Sequence, residues 1–501
     1  MNGAAYAAVD LGAESGRVVV GRIDDERTSL EVVHRFPNRP VRLPDGLHWD
    51  LPALLAEVLE GLGRASSTGA LAGVAVDGWG VDYALLDGAG RLLGLPYHHR
   101  DARTEGVVAE VHQRVPRAEL YAATGIQTMA INTVFQLFSE RQGPALAAAR
   151  RLALIPDLFA YWLSGALANE VTAASTTGLL DARTGTWATA VIDRLGLPAA
   201  PFTAEPIAPG TTLGPVLSCH AEQVPRASQV PVHAVAGHDT ASAFAGSPGR
   251  GPRSAILSSG TWSLIGLELE EPVLTDEACA LNVTNERGVD GTIRLLCNVS
   301  GLWLLQECRR TWKLAGTSYE YDELERLAAA APPDPPLFDP DDARFLAPGD
   351  MPARVREACR LAGQEPPQTP GEVVRSVLTS LACKYRLVLE RLERVSGGEV
   401  DVLHIIGGGA RNAFSCQLTA QLLGRPVLAG PVEATALGNV LMQARATGEL
   451  GSSAEMREVA ARNADIGVFE PGSEQGRFED LYGRFLDTTG LAVEPAEPVV
   501  A

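Results

Sequence analysis

The sequence predicts a mixed α/β fold made of two matching halves. Short Val-rich strand patterns alternate with helical ones along most of the chain. The segment AAVDLGAESGRVVVGRI near the start has a counterpart in SAILSSGTWSLIGLEL past the middle. Both run apolar strand, small-residue turn with Gly and Ser or Thr, apolar strand. The chain has 501 residues, which at roughly 100 to 200 residues per domain calls for two or three packed units.

The first forty residues hold three strand-length runs, AYAAVDLG, RVVVGRI and SLEVVHRF, expected to pair antiparallel in order. Asp50 as N-cap and Pro52 in the first turn open a helix over Leu51 to Leu62, and LAGVAVD then reads as a buried strand. Helical spacing dominates residues 104 to 177, with starts at Pro116 and Pro156, as in a lid or substrate-side subdomain. Residues 196 to 215 are dense in Pro and Gly and read as irregular. VPVHAVAG is a strand, HDTASAFA a helix start, and SPGRGPR a break before the second hairpin. PPDPPLFDP marks a loop; a long helix over Gly371 to Glu393, the strand DVLHII, the turn GGGARN, two further helices and a frayed last ten residues complete the chain.

Composition narrows the function. Apolar residues make up 46% and charged residues 21%, as in a globular protein rather than a disordered one. With 42 basic and 61 acidic residues the net charge is −19, a field that repels nucleic-acid phosphates and anionic membranes. No stretch approaches the roughly 20 apolar residues of a membrane span, and no basic, apolar leader opens the chain. Seven scattered cysteines lack the close pairs of zinc or redox motifs, so free thiols in the cytoplasm are expected. The two lysines, Lys313 and Lys384, follow no glycine-rich loop, which excludes a P-loop enzyme. HExxH, GxSxG and Cys/His arrangements are missing as well.

What remains suits phosphoryl transfer. Asp10 ends the first strand beside Gly12, Ser15, Gly16 and Arg17. A hard cation such as Mg²⁺ takes a carboxylate together with waters and substrate phosphates, a role Asp10 fits; a local turn hydrogen bond is the alternative. Asp239, in His238-Asp239-Thr240, is either a helix cap or the base that accepts a sugar hydroxyl proton. Two facing hairpin turns would hold a polyanion with backbone N–H donors and hydroxyls. Gly407, Gly408 and Gly409 allow close approach of a flat nucleoside, and GGGARN lacks the third glycine of a dinucleotide fingerprint. Asp77, Trp79 and Asp82 with their glycines read either as a sugar-holding surface or as a buried Trp with turn aspartates. Asn298 and Gln306 are the polar exceptions around a core helix carrying Leu302, Trp303 and Leu305.

Taken together, VDLGAESGR, VDGWGVDYALLD, GLPYHHRDART, GIQ with NTVFQL, HDTASA, LSSGTWSL, NVSGLWLLQ, GGGARN and AGPVEATALGN resemble the FGGY carbohydrate kinases, in order over almost the whole chain. DGWGVDY, HDTASA, GLWLLQ and GPVEATALGN resemble in particular the branch acting on L-rhamnulose. The resemblance implies two actin-like, ribonuclease-H-like domains with a cleft between them: residues 1–245 for sugar and 246–501 for nucleotide. It implies ATP-dependent phosphorylation of the L-rhamnulose 1-hydroxyl in rhamnose breakdown, with Mg²⁺. Alternatives are a kinase for L-fuculose, L-ribulose, D-xylulose or another polyol, or a non-catalytic nucleotide-binding regulator. Carried over by motif, Ala13, Glu14, Ser15, Gly16, Arg17, Thr261, Gln306 and Gly408 meet ATP. Gly80, His238, Asp239, Thr240 and Asn298 line the sugar, Asp239 is the proton acceptor, and Asp10 is the Mg²⁺ partner, directly or through water. Glu14 departs from the family's small serine and, beside phosphates, has to turn outward or toward Arg17. Ser376 and Thr419 stand where a disulfide partner would be sought, so no cysteine pairing is implied. Partners are a small sugar and ATP, with no nucleic acid or membrane; the oligomeric state stays open, a monomer being compatible.

Overall fold

A computed structural model describes residues 4–24, 28–249, 251, 253–463 and 465–493. Most of the expected frayed tail, from residue 494 on, lies outside the described residues, as do Arg250 and Pro252 of the SPGRGPR break. The chain divides into two compact units that are not simple halves. The first comprises residues 1–248, 268–295 and 434–463, and the second residues 249–267, 296–433 and 464–501.

In the first unit, Thr28–Pro37, Ser15–Ile23, Ala5–Leu11, Leu71–Gly78, Pro231–His233 and Thr212–Pro215 lie side by side in that order. The first three are antiparallel, as their hairpin spacing predicts, and Ala5–Leu11 then pairs parallel with Leu71–Gly78. Side chains alternate between two cores. Val9, Leu11, Val18, Val20, Val74 and Val76 face a cluster with Leu54, Val58, Leu62, Phe159 and Leu163. Tyr6, Ala8, Val19 and Ala75 face another with Leu437, Val440 and Leu441. Cover on both faces explains why these strands read as nearly continuous apolar runs.

The helix opened by Asp50 extends to Ser67, and the Asp50 side chain accepts a hydrogen bond from Ala53 N. Arg117–Thr124 and Ile155–Ser164 start at the predicted prolines. Residues between Val107 and Phe202 pack with Tyr83, Leu85 and Leu154 into a core of their own, so the mainly helical insert is a true subdomain of this unit. Two details differ from expectation. Within 196–215, Thr212–Pro215 is an edge strand, a place where Pro and Gly are tolerated because one side of the ladder is open. VPVHAVAG keeps a ladder only over Pro231–His233, and its remainder runs extended to Gly237, whose carbonyl accepts from Gly78 N.

The second unit repeats the scheme. Trp262–Leu269, Ser254–Ser259, Val402–Ile406, Val427–Ala429 and Gly467–Phe469 are neighbours in that order. The hairpin of Ser254–Ser259 with Trp262–Leu269 is antiparallel, the next two pairings are parallel and the last is antiparallel. The first sheet has the same succession from its own hairpin outward. The hairpin similarity therefore marks a duplicated sheet.

The long helix runs Pro370–Ser396, opened by a Thr369–Glu372 capping box and closed by Gly397 at φ 70°. After GGGARN there are four helices, Ala413–Leu423, Ala434–Ala446, Ser453–Asn463 and Gln475–Thr489, where two were expected. Gly424, Gly448 and the Pro471-Gly472 pair interrupt the apolar pattern that otherwise reads as continuous. Ala434–Ala446 packs closely on Asp239–Ala245: a Cβ on Gly438 would lie 1.8 Å from the Ser242 carbonyl oxygen. Gly438→Ala is expected to destabilise the protein by about 3 kcal/mol through overpacking against backbone, read as a lower urea midpoint.

Candidate functional site

Strand register builds the first part of the site. Asp10 is the Cα partner of Arg17 across the antiparallel pair and of Asp77 across the parallel pair, so the three side chains share one face near the strand ends. Arg17 grips one Asp10 oxygen, Nε and Nη2 both meeting Oδ2 at 2.8 and 2.7 Å. Asp10 is thus paired across the hairpin rather than with its own turn. Glu14 is exposed, Ser15 is exposed and Gly16 is buried against the Phe36 ring. Asp77 is fully buried; Oδ2 accepts from Asn439 Nδ2 at 2.6 Å, and Oδ1 has no hydrogen-bond partner among the described residues. Burial, then the charge of Asp10, holds the Asp77 carboxyl well above the ordinary carboxylate range.

The extended segment after Pro231–His233 delivers His238, Asp239 and Thr240. His238 occupies the N-cap position of Asp239–Ala245 and makes no side-chain cap bond, so Asp239 is the first helical residue and not its cap. Thr240 Oγ1 donates to Asp239 Oδ1 at 3.0 Å, and the Asp239 side chain keeps 32% of its surface exposed. Surrounding protein raises its carboxyl above the ordinary value; His238 works against this and Asp10 adds to it. Glu170 fixes the backbone entering this loop, Oε2 accepting from Gly237 N at 2.8 Å and from Thr172 Oγ1, while His238 N donates to Thr172 Oγ1 at 3.3 Å.

Asp82 organises the ground around Gly80. Its Oδ2 accepts from Trp49 Nε1 at 2.7 Å, Trp79 Nε1 at 2.9 Å and His99 Nδ1 at 2.8 Å, and its Oδ1 accepts from Gln136 Nε2 at 3.0 Å. Burial alone would raise this carboxyl, but His99 and the donors outweigh it and hold it below the ordinary value. His98 stacks on Trp49 at 4.2 Å, and burial with the neighbouring His99 pushes it down to about 3, so its ring is neutral. Gly80 touches Thr176, whose hydroxyl accepts from Val81 N. Trp79 is 5% exposed and belongs to this core.

In the second unit, the Gly260-Thr261 turn rests on Gly301, where a Cβ would come 2.5 Å from Trp262 C. Trp303–Leu314 starts there and brings the Gln306 amide 3.4 Å from Thr261 Oγ1. Gly407 has φ 82°, and Gly409 packs on Ser259, while a Cβ on Gly408 would meet nothing within 4 Å. Gly408 therefore borders open space. Asn298 is half-buried on Ile293–Ser300 in this unit, whereas Gly80, His238, Asp239 and Thr240 lie in the first. Ala13 to Arg17 lie in the first unit, and Thr261, Gln306 and Gly408 in the second. No disulfide joins any of the seven cysteines among the described residues.

The N-terminal domain of the FGGY family of carbohydrate kinases matches residues 5–246 and its C-terminal domain residues 255–447. The chain belongs to the FGGY family of carbohydrate kinases. It is 42% identical over 469 residues to a rhamnulokinase of Bacteroides thetaiotaomicron, covering 93% of this chain and 96% of that protein. A rhamnulokinase of Enterococcus faecalis is 39% identical over 492 residues, with 97% and 98% covered. In structure, the chain is similar to gluconate kinase from Lactobacillus acidophilus (TM-score 0.77, 15% identity, 97% of each chain). It is equally similar to Plasmodium falciparum glycerol kinase with ADP (TM-score 0.77, 16% identity, 98% and 99%). The fold is thus the two-domain, actin-like FGGY kinase fold, and this FGGY kinase uses ATP as co-substrate. No helix among the described residues is long and apolar enough to cross a membrane.

Sequence reasoning missed Glu170 and the role of Asn439. Asn439 ends AGPVEATALGN, so its motif was in view, but a residue 362 positions after Asp77 carries no sign of where it packs. Asp82→Asn places an amide donor among donors and is expected to cost about 3 kcal/mol at neutral pH. Asp82 titrates lower in the folded chain, so its stabilisation exists above about pH 4 and is lost as pH falls through the folded value. Urea unfolding of both proteins should therefore converge in acid.

Proposed function

We propose that this FGGY kinase transfers the γ-phosphoryl group of ATP to the 1-hydroxyl of L-rhamnulose, giving L-rhamnulose 1-phosphate and ADP. The observation that carries the substrate is identity of about 40% over nearly the full chain with curated rhamnulokinases. Cysteines without disulfides and the need for ATP support a cytoplasmic site of action.

In this reading Asp239 accepts the hydroxyl proton as the sugar oxygen attacks. Surrounding protein holds its carboxyl above the ordinary value, which makes it a better proton acceptor than an ordinary aspartate. Gly80, His238, Thr240 and Asn298 hold the sugar. The turn Ala13 to Arg17, with Thr261, Gln306 and Gly408, receives the nucleotide; Gly408 suits this because its Cα faces open space.

Mg²⁺ is the fitting cation. Asp10, Asp77 and Asp239 influence one another with Arg17 as the counter-charge, and Asp77 Oδ1 is an orphaned buried oxygen. Among the described residues these carboxyls do not converge as ligands of a closed cage would. An open, oxygen-only donor set matches an ion that keeps several waters. Asp10 would hold it, directly or through water, and the bound ion would neutralise phosphate charge.

ADP release in a coupled assay with Mg-ATP across L-rhamnulose, L-fuculose, L-ribulose, D-xylulose and polyols tests the substrate. Preference for L-rhamnulose is expected; preference for another sugar overturns it. Asp239→Asn should leave ATP binding intact and lower kcat by about 10² to 10⁴-fold. It should also raise the thermal midpoint. The raised folded value means Asp239 loses stability as pH rises from about 4 through that value, so the gain should vanish in acid.

A further inference from the structure

We infer that Glu286 is a positioning residue for this transfer: it holds Arg294 against the Nδ1 edge of His238 and so presents the Nε2 edge to Asp239. The inference rests on the reading of Asp239 as proton acceptor. Arg294 Nη2 donates to His238 Nδ1 at 3.3 Å, and Glu286 Oε2, 3.0 Å from that Nη2 and 3.2 Å from Nδ1, is the buried counter-charge beside them without a hydrogen bond of its own among the described residues. On the far side of the ring, Nε2 is 3.5 Å from Asp239 Oδ1. The imidazole is rigid, so holding one edge aims the other.

The clamp is itself immobile. Glu286 sits on Thr284–Arg287 and Arg294 on Ile293–Ser300, joined by a short turn in which Gly288 N donates to Thr292 O. Arg294 is 0% exposed, its Nε donates to the Arg287 carbonyl at 3.1 Å, and its guanidinium lies 5.8 Å from the Phe244 ring centroid. Burial pushes the Glu286 carboxyl up, but Arg294 and His238 outweigh it and keep it below the ordinary value, hence ionised. A buried ion pair of this kind adds little net stability over apolar packing, because desolvation consumes the attraction. What it does supply is direction. The backbone of the same residue is held independently, by Thr172 at His238 N and by Glu170 at Gly237 N. Ring and main chain are therefore each fixed, and the one ring edge left for chemistry faces the acceptor carboxylate.

The test compares full-length wild type, Glu286→Gln, Glu286→Asp and the double variant Glu286→Gln with Arg294→Met, which avoids an unpaired buried cation. Steady-state constants for L-rhamnulose and ATP are measured beside ¹⁵N–¹H spectra of the histidine rings, His238 being assigned with His238→Gln. Expected for Glu286→Gln and the double variant are a kcat lower by about 10- to 100-fold, an unchanged KM for ATP and displaced His238 ring signals. Glu286→Asp should recover part of kcat. An unmoved His238 signal with unchanged kcat per folded molecule, whatever the thermal midpoint does, overturns the inference. A wild type that turns over no sugar refutes the proposed function instead, and the ring signals then still decide whether the clamp exists.

Discussion

The parallel register between Ala5–Leu11 and Leu71–Gly78 is the constraint on which the acidic end of the first unit depends. It sets Asp77 level with Asp10, and the hairpin register sets Arg17 on the other side of Asp10. A slip of one residue would turn each of these side chains to the opposite face and carry Val9 and Val76 out of the core. Burial of the valines therefore enforces the placement of the charges. The hydrophobic pattern and the polar row are one specification, read on alternate residues.

Aspartates of the first unit are driven to opposite states by their surroundings. Asp82 receives two indoles, a histidine and an amide and stays an anion. Asp77 receives one amide and lies beside another carboxylate, and its proton is retained far more strongly. Asp239, partly exposed and with a single hydroxyl donor, falls between them. Such separation of otherwise equal groups is how one protein holds aspartates of different proton affinity.

The two sheets share a strand succession but diverge at their hairpin turns. In the first unit the turn follows Asp10, whose charge Arg17 answers. In the second, Ser259 packs under Gly409 and Thr261 meets Gln306, leaving neutral hydroxyls and amides. Duplication supplied the frame, and the residues at the turns separated the electrostatics. The helix Ala434–Ala446, late in the chain, returns to the first unit and contributes Asn439 to Asp77 there. That helix thus belongs to the first compact unit although it lies late in the chain.

Short-range patterns in the sequence determined the strands, the main helices, the repeated hairpin and the candidates Asp10 and Asp239, since alternation, caps and turn residues act within a few positions. Motif resemblance supplied the family and, with it, roles that spacing could not assign. Only the tertiary structure decided which polar groups meet. Glu170 reaches Gly237, Glu286 and Arg294 reach His238, and Asn439 reaches Asp77 across separations of up to 362 residues. No periodicity encodes such pairs, because a buried carboxylate's partner is set by strand register and helix docking, and its charge state by the desolvation that docking brings.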